Sequence, residues 1–218
     1  MMDPAHDFHL PGVLASVIAV LLSISLFVFL TSHGGTPIGI YDNGIGDHWP
    51  STHRNLTIVD RTGDAGWHQA LADAVATWTQ GGSALHLTLT ATDTAASAAG
   101  ASPTAQGDCG QHRDRIEVCR ATTADISAKG SAGEQGLFVP QVARNHEYRS
   151  AILLVCSDCE IDQDRMTVIA THELGHALGL AHSLDPESVM YYLGGSAHPD
   201  ANDLQVLRQR EGSALVGG

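Results

Sequence analysis

The chain has 218 residues, enough for one domain of about 150 to 165 residues with a hydrophobic core. It carries 24 acidic against 11 basic residues, and Lys129 is its only lysine, so the net charge is −13. This balance argues against nucleic acid and against an anionic membrane surface as partners, because both are bound through clustered lysines and arginines. A lysine-poor acidic chain is typical of adaptation to high salt or of an ordinary acidic secreted protein, and both alternatives stay open.

A strongly apolar segment follows a short tail at residues 1–12. Within residues 13–31, the run from Val13 to Leu30 has three serines as its only polar members, and a run of about 18 apolar residues can span a bilayer as a helix. A cleavable secretion signal favours a basic start and small residues at the cut, whereas the tail contains no Lys or Arg. We therefore predict an uncleaved transmembrane anchor rather than a signal peptide. Either alternative places the remaining chain outside the cytoplasm.

Residues 32–53 are rich in Gly, Pro, Asp and His, and this composition predicts a linker. Residues 54–212 are then expected to form one globular domain, followed by a tail at residues 213–218.

The domain opens with a predicted strand, helix and strand. β-Branched residues alternate in Asn55–Asp60 and predict the first strand. Apolar residues recur at helical spacing in Gly66–Thr79, with Trp67 and Trp78 as core anchors. Leu85–Thr92 alternates leucine with polar residues and predicts the second strand. This order is typical of the start of an α/β unit.

Three further strands follow a low-complexity loop. They are predicted at Arg115–Arg120, Gly136–Ala143 and Ala151–Cys156. Pro140 confines the middle one to a sheet edge, and the continuous apolar run of the last is typical of a buried parallel strand. The expected fold class is α/β (α+β), with a twisted mixed sheet of about five strands and two long helices.

Four cysteines form an even set, which allows three disulfide pairings. We predict the local pairs, Cys109 with Cys119 and Cys156 with Cys159, which would persist in an oxidising compartment. A second zinc site is a weaker alternative, because only the second pair has Cys-x-x-Cys spacing.

The second long helix, predicted over Asp162–Leu180, carries the sequence His-Glu-Leu-Gly-His. Residues four apart share one face of a helix, so His172 and His176 can bind a single ion. Glycine at 179 can end the helix in a left-handed conformation, which would return His182 to the metal. Three protein ligands with one open position are typical of a catalytic zinc.

This motif, His172 to His182, resembles that of the metzincin metalloproteases. Ser188-Val189-Met190-Tyr191 resembles the methionine turn that lies beneath the metal in that family. Ser183 after the third histidine makes the matrixin branch the most similar, and a last helix predicted over Ala201–Arg210 agrees with it. Tyr192 departs from the matrixins, which usually have proline there, and resembles the tyrosine that assists catalysis in astacin-like and serralysin-like metzincins.

The resemblance implies a zinc-dependent endopeptidase acting on extended protein substrates. Glu173 would be the general base, Met190 and Gly179 would be structural, and the implied zinc ligands are His172, His176 and His182. Tyr192 would donate a hydrogen bond to the tetrahedral oxyanion, or would only pack beside Tyr191.

Substrate backbone is expected to pair with the edge strand before the active-site helix, at Leu137, Phe138 and Val139. A plain edge strand closed off by Pro140 is the alternative.

Other expected partners are few. The chain would be a monomer, with its catalytic domain held at the membrane by the N-terminal helix or secreted. Structural calcium could be held by Asp158, Glu160 and Asp162, but no recognised loop pattern supports it. The rival function is a catalytically silent, zinc-stabilised binding or adhesion domain at the membrane, and intact Glu173 argues against it.

Overall fold

The computed structural model describes residues 47–91, 109–130 and 133–216, with side chains up to Arg210. The predicted tail at residues 1–12, the predicted anchor at residues 13–31 and most of the predicted linker lie outside these ranges. Within them, no helix is long and apolar enough to cross a membrane.

A five-stranded mixed sheet forms the centre of the described chain, in the order β2-β1-β3-β5-β4. Its strands are β1 (Asn55–Asp60), β2 (His86–Ala91), β3 (Arg115–Ala121), β4 (Gly136–Val142) and β5 (Tyr148–Cys156). Three strand pairs, β1 with β2, β1 with β3 and β3 with β5, are parallel, and β4 pairs antiparallel with β5. The mixed sheet expected from the sequence is confirmed, with the proline-containing strand at its edge.

Four helices belong to the described part of the chain: α1 (Ala65–Gln80), α2 (Thr123–Ser127), α3 (Gln163–Ala177) and α4 (Ala201–Val216). The carboxylate of Asp64 caps α1, and that of Asp162 caps α3. Both satisfy N–H groups that have no partner within the first turn. The short α2 was not expected from the sequence, although Thr122 caps it in the same way.

The core lies between the sheet and the helices α1 and α3. Trp67 and Trp78 are 2% and 0% exposed, as predicted for core anchors. Trp49, inside the segment predicted to be a linker, is 4% exposed. The indole N–H of Trp78 donates to the carbonyl of Thr171 at 2.9 Å, and that of Trp49 to Ala177 at 2.8 Å. A buried indole needs such a partner, and these two fix the middle and the end of α3.

The edge strand β4 packs closely against α3. A Cβ on Gly136 would lie 2.6 Å from Cγ2 of Ile169 and 2.8 Å from Cγ of Glu173. Only glycine lets the strand and the helix approach this closely. Cys156 at the end of β5 bonds to Cys159, and Cys109 bonds to Cys119 of β3. These are the two local pairs expected from the sequence.

Candidate active site

Three imidazoles meet at the carboxyl end of α3. His172 and His176 project from neighbouring turns of the helix, and His182 returns from the following loop. The Nε2 atom of His182 lies 3.1 Å from Nε2 of His176 and 3.2 Å from Nε2 of His172. The three residues expected to bind one ion are therefore brought together.

The opposite ring nitrogens fix the tautomers of the two helical histidines. Nδ1 of His172 donates to the carbonyl of Val189 at 2.8 Å, and Nδ1 of His176 donates to the carbonyl of Leu180 at 2.8 Å. A neutral imidazole carries one proton, so each Nε2 presents a lone pair to the cluster. Facing lone pairs repel one another unless a cation lies between them.

This donor set fits zinc. Nitrogen ligands lie about 2.0 to 2.1 Å from zinc in tetrahedral sites, and tetrahedral angles then place two ligand nitrogens about 3.3 Å apart. The observed separations of 3.1 and 3.2 Å are close to that value. Carbonyl partners on the second nitrogen are also what metal-binding histidines usually have.

Gly179 makes the return of His182 possible. Its φ of +89° lies in the left-handed region, which glycine enters without a Cβ penalty. The N–H of Leu180 donates to the carbonyl of Gly175 at 3.0 Å and closes the end of the helix. Helix α3 therefore ends at Ala177, three residues before the predicted boundary.

Glu173 lies beside the histidine cluster and under β4. Its side chain is 7% exposed, and the backbone N–H of Phe138 donates to it. Burial, together with the nearby charge of Glu134, raises the pKa of Glu173 to about 8 in the metal-free protein. A zinc ion would lower that pKa again, since a positive charge favours the carboxylate.

Burial acts on the histidines in the opposite direction. It lowers the pKa of His172 to about 4 and lowers that of His176 well below the usual value, with the neighbouring imidazoles acting in the same direction. The pKa of His182 is also lowered by burial. The cluster therefore stays neutral at physiological pH, as metal binding requires.

The chain after His182 forms a tight turn that packs against the end of α3 carrying the histidine cluster. The backbone N–H of Ser183 donates to the carbonyl of Met190 at 2.7 Å, and the Met190 side chain is 1% exposed. Its Sδ packs so closely on Gly175 that a Cβ there would collide with it. Met190 thus packs against α3 at Gly175.

An open cavity of about 940 Å³ runs along β4 and past the histidine cluster. Leu137, Phe138 and Val139, the residues expected to contact substrate, line it. The N–H of Phe138 points to Glu173, so this edge of the sheet faces the histidine cluster.

Tyr192 also lines the cavity and is 42% exposed. Its ring lies 4.9 Å from that of Tyr191 at 67°, in an edge-to-face contact. The side chains of Tyr191 and Tyr192 also share a hydrogen bond, so Tyr192 both lines the cavity and packs on its neighbour.

Two of the acidic residues considered for calcium have protein partners. Asp158 accepts hydrogen bonds of 2.8 Å from the backbone N–H and from the hydroxyl of Thr123. Asp162 accepts one from the N–H of Arg165 as the α3 cap. These contacts give both carboxylates a structural role in the loop that leads to α3.

Some residues of the site were not expected from the sequence. The carbonyls of Val189 and Leu180 orient two histidines, but backbone atoms carry no sequence signature. Arg165 and Glu134 line the cavity. Arg165 precedes His172 by seven residues, which is helical spacing. Its place on the same face of α3 as the motif could therefore have been predicted from the sequence.

A family model described as matrixin matches residues 60–208, which is well over half of the chain. Matrilysin of Felis catus is 78% identical over 49 residues, covering 22% of this chain and 19% of the relative. Matrilysin of Homo sapiens is 60% identical over 30 residues, covering 14% and 11%. The chain therefore spans less than a fifth of the length of these curated relatives.

Two solved structures are also similar. Archaemetzincin from Methanopyrus kandleri is 17% identical with a TM-score of 0.44, covering 77% of this chain and 97% of that one. Myroilysin is 12% identical with a TM-score of 0.44, covering 83% and 92%.

Proposed function

The chain belongs to the matrixin family of zinc metallopeptidases, and we propose that it hydrolyses peptide bonds of extended protein substrates outside the cytoplasm. The observation that carries this proposal is the convergence of three Nε2 atoms beside a buried carboxylate. A purely structural zinc site is usually closed by four protein ligands, whereas the three histidines leave one position open beside Glu173. The position of Glu173 between the histidine cluster and β4, where substrate is expected to bind, suits a general base.

Zinc held by His172, His176 and His182 would supply a Lewis acid that polarises the scissile carbonyl and activates water. Glu173 accepts a proton from the attacking water while the oxygen of that water bonds to the carbonyl carbon. The carbon–nitrogen bond then breaks, and Glu173 passes the proton to the nitrogen of the leaving amine. Its burial excludes bulk water from this transfer.

The outer edge of β4 supports binding of an extended substrate. The edge of a sheet can bind an added strand through its backbone groups, although the N–H of Phe138 already donates to Glu173. The side chains of Leu137, Phe138 and Val139 would flank that strand along the cavity. Backbone pairing does not depend on the side chains of the substrate. Selectivity among substrates must therefore come from side chains that line the cavity beyond β4.

Hydrolysis of casein by the purified full chain, with and without a metal chelator, tests the proposal. We expect chelator-sensitive cleavage that zinc restores. Glu173→Ala should keep zinc and lose activity by orders of magnitude, while Glu187→Ala, an exposed glutamate of the loop after His182, should remain active. Undiminished cleavage by Glu173→Ala would refute the general-base role, and zinc binding without any cleavage would favour the rival adhesion domain.

The apolar run at residues 13–31 supports a membrane anchor for the catalytic domain. Extraction of cell membranes at alkaline pH should leave the chain in the pellet, with the domain accessible to added protease only from the extracytoplasmic side. Release of the whole chain by alkaline extraction would argue for a secreted protein.

A further inference from the structure

Arg165 stands on the same face of α3 as the proposed zinc ligands. The series Arg165, Ile169, His172 and His176 follows helical spacing. Seven residues at 1.5 Å each place Arg165 about 10 Å along the helix before His172. The charge of Arg165 still reaches the cluster, since it contributes to the lowered pKa of His172.

The guanidinium of Arg165 lies between two segments that line the cavity. Its Nε donates to Oε1 of Gln135 at 2.8 Å, on the β4 side. On the other side it lies on Gly194, where a Cβ would be 2.5 Å from Nη1 and 3.0 Å from Nη2. Gly194 has a φ of +80°, so glycine serves both the turn and this close approach. The guanidinium therefore spans from the start of β4 to the loop after the methionine turn.

Arg165 carries a positive charge in a strongly acidic chain. Among the residues that the structure describes, no carboxylate forms an ion pair with it, although acidic residues outnumber basic ones by more than two to one. Val168 and Leu193 line the same cavity and add apolar surface. The planar guanidinium of an arginine matches a carboxylate, which it can bind through two parallel hydrogen bonds.

We propose that Arg165 is a specificity-determining residue, which binds the carboxylate of a glutamate or aspartate side chain one or two positions from the scissile bond. This rests on the proposed function and names its preferred substrates as acidic peptides. The distance supports the placement, because a residue one or two positions from the scissile carbonyl begins about 3.5 to 7 Å along the cleft and its side chain extends further toward Arg165. Backbone pairing with β4 holds the peptide, and the guanidinium selects the side chain.

Matched fluorogenic peptides test this inference. After the scissile bond is located in a peptide mixture, each flanking position is made Glu, Gln or Lys in turn, and kcat/KM is measured. For the wild type we expect kcat/KM to be about tenfold higher with Glu than with Gln at one position, the effect of one charge-assisted hydrogen bond in a partly exposed site. Arg165→Gln should abolish that ratio, and Arg165→Glu should favour Lys there.

Arg208→Gln is the control, because it removes the same charge from an exposed position of α4 outside the cavity. It should leave the ratio of Glu to Gln unchanged. A wild type without an acidic preference would overturn the inference while leaving the proposed function intact. So would an Arg165→Gln variant that loses activity equally on all peptides but keeps the ratio, since Arg165 would then only tie Gln135 to the Gly194 loop. Failure of the wild type to cleave any peptide would reject the proposed function and this inference with it.

Discussion

Asp203 near the start of α4 accepts a 3.0 Å hydrogen bond from the backbone N–H of Val189. The carbonyl of the same Val189 accepts the 2.8 Å bond from Nδ1 of His172. The other carboxylate oxygen of Asp203 accepts the hydroxyl of Ser188 at 2.7 Å. The last helix therefore holds the methionine turn in place, and the turn orients a proposed zinc ligand that is distant in sequence.

This connection predicts that Asp203→Asn weakens zinc binding without touching a ligand. Asp203 also accepts a hydrogen bond from the N–H of Asp200. An amide keeps one of the two acceptor oxygens and presents N–H groups to a donor at the position of the other. Partners that orient metal ligands are worth about 10- to 100-fold in affinity, and we expect about tenfold for this less direct contact. Competition against a chromophoric chelator measures it. Asp164→Asn, an exposed aspartate of α3, is the control, and equal affinities of the two variants would contradict the prediction.

The same carboxyl predicts a pH dependence of stability. Burial raises the pKa of Asp203 above its usual value of 3.8, although hydrogen bonds from Ser188 and Val189 favour the carboxylate. Between the unfolded and the folded pKa, the folded protein binds more protons than the unfolded chain, so stability falls as pH rises through that interval. The contribution of Asp203 is complete below the unfolded pKa and is lost above the folded one.

Asp203→Asn should therefore lower the free energy of unfolding more at about pH 4 than at about pH 7. Urea unfolding of both metal-free proteins at the two pH values measures the difference, with Asp164→Asn as reference. If Asp203→Asn lowers the free energy of unfolding more at neutral pH, the hydrogen bonds outweigh burial and lower the pKa of Asp203.

Side-chain periodicity explains what the sequence could predict. Asn55–Asp60 was predicted with its observed bounds, because alternation of β-branched residues reports a strand directly. His172, His176 and His182 could be grouped because their spacing is set by one helix and one glycine. Contacts between distant segments, such as Asp203 with Val189 or Trp49 with Ala177, depend on how the elements pack. Such pairs cannot be predicted from the spacing or the composition of the sequence.

Gly175 gives a direct test of the packing under the helix. A Cβ at this position would collide with Sδ of Met190 and lie 2.9 Å from Cζ2 of Trp78. Gly175→Ala should lower the unfolding free energy by about 1 to 3 kcal/mol through overpacking, even though alanine in a helix interior is favoured over glycine by about 1 kcal/mol. Chemical denaturation measures the change. Gly110→Ala is the control, since its Cβ would lie 3.7 Å from the nearest atom, Nε2 of His112. A stabilised Gly175→Ala would mean that Met190 can move aside.

Tyr192→Phe separates the two roles considered for that residue. Tyr192 is 42% exposed and lines the cavity, and its ring keeps the 4.9 Å contact with Tyr191 in either form. If the hydroxyl stabilises the developing oxyanion, removing it should lower kcat by about ten- to a hundredfold and leave KM and zinc affinity unchanged. Tyr191→Phe, which removes the hydroxyl that shares a hydrogen bond with Tyr192, should lower kcat less, because the Tyr192 hydroxyl remains. Equal kcat values for wild type and Tyr192→Phe would assign Tyr192 to packing alone, and stabilisation of the oxyanion would then fall to the zinc site.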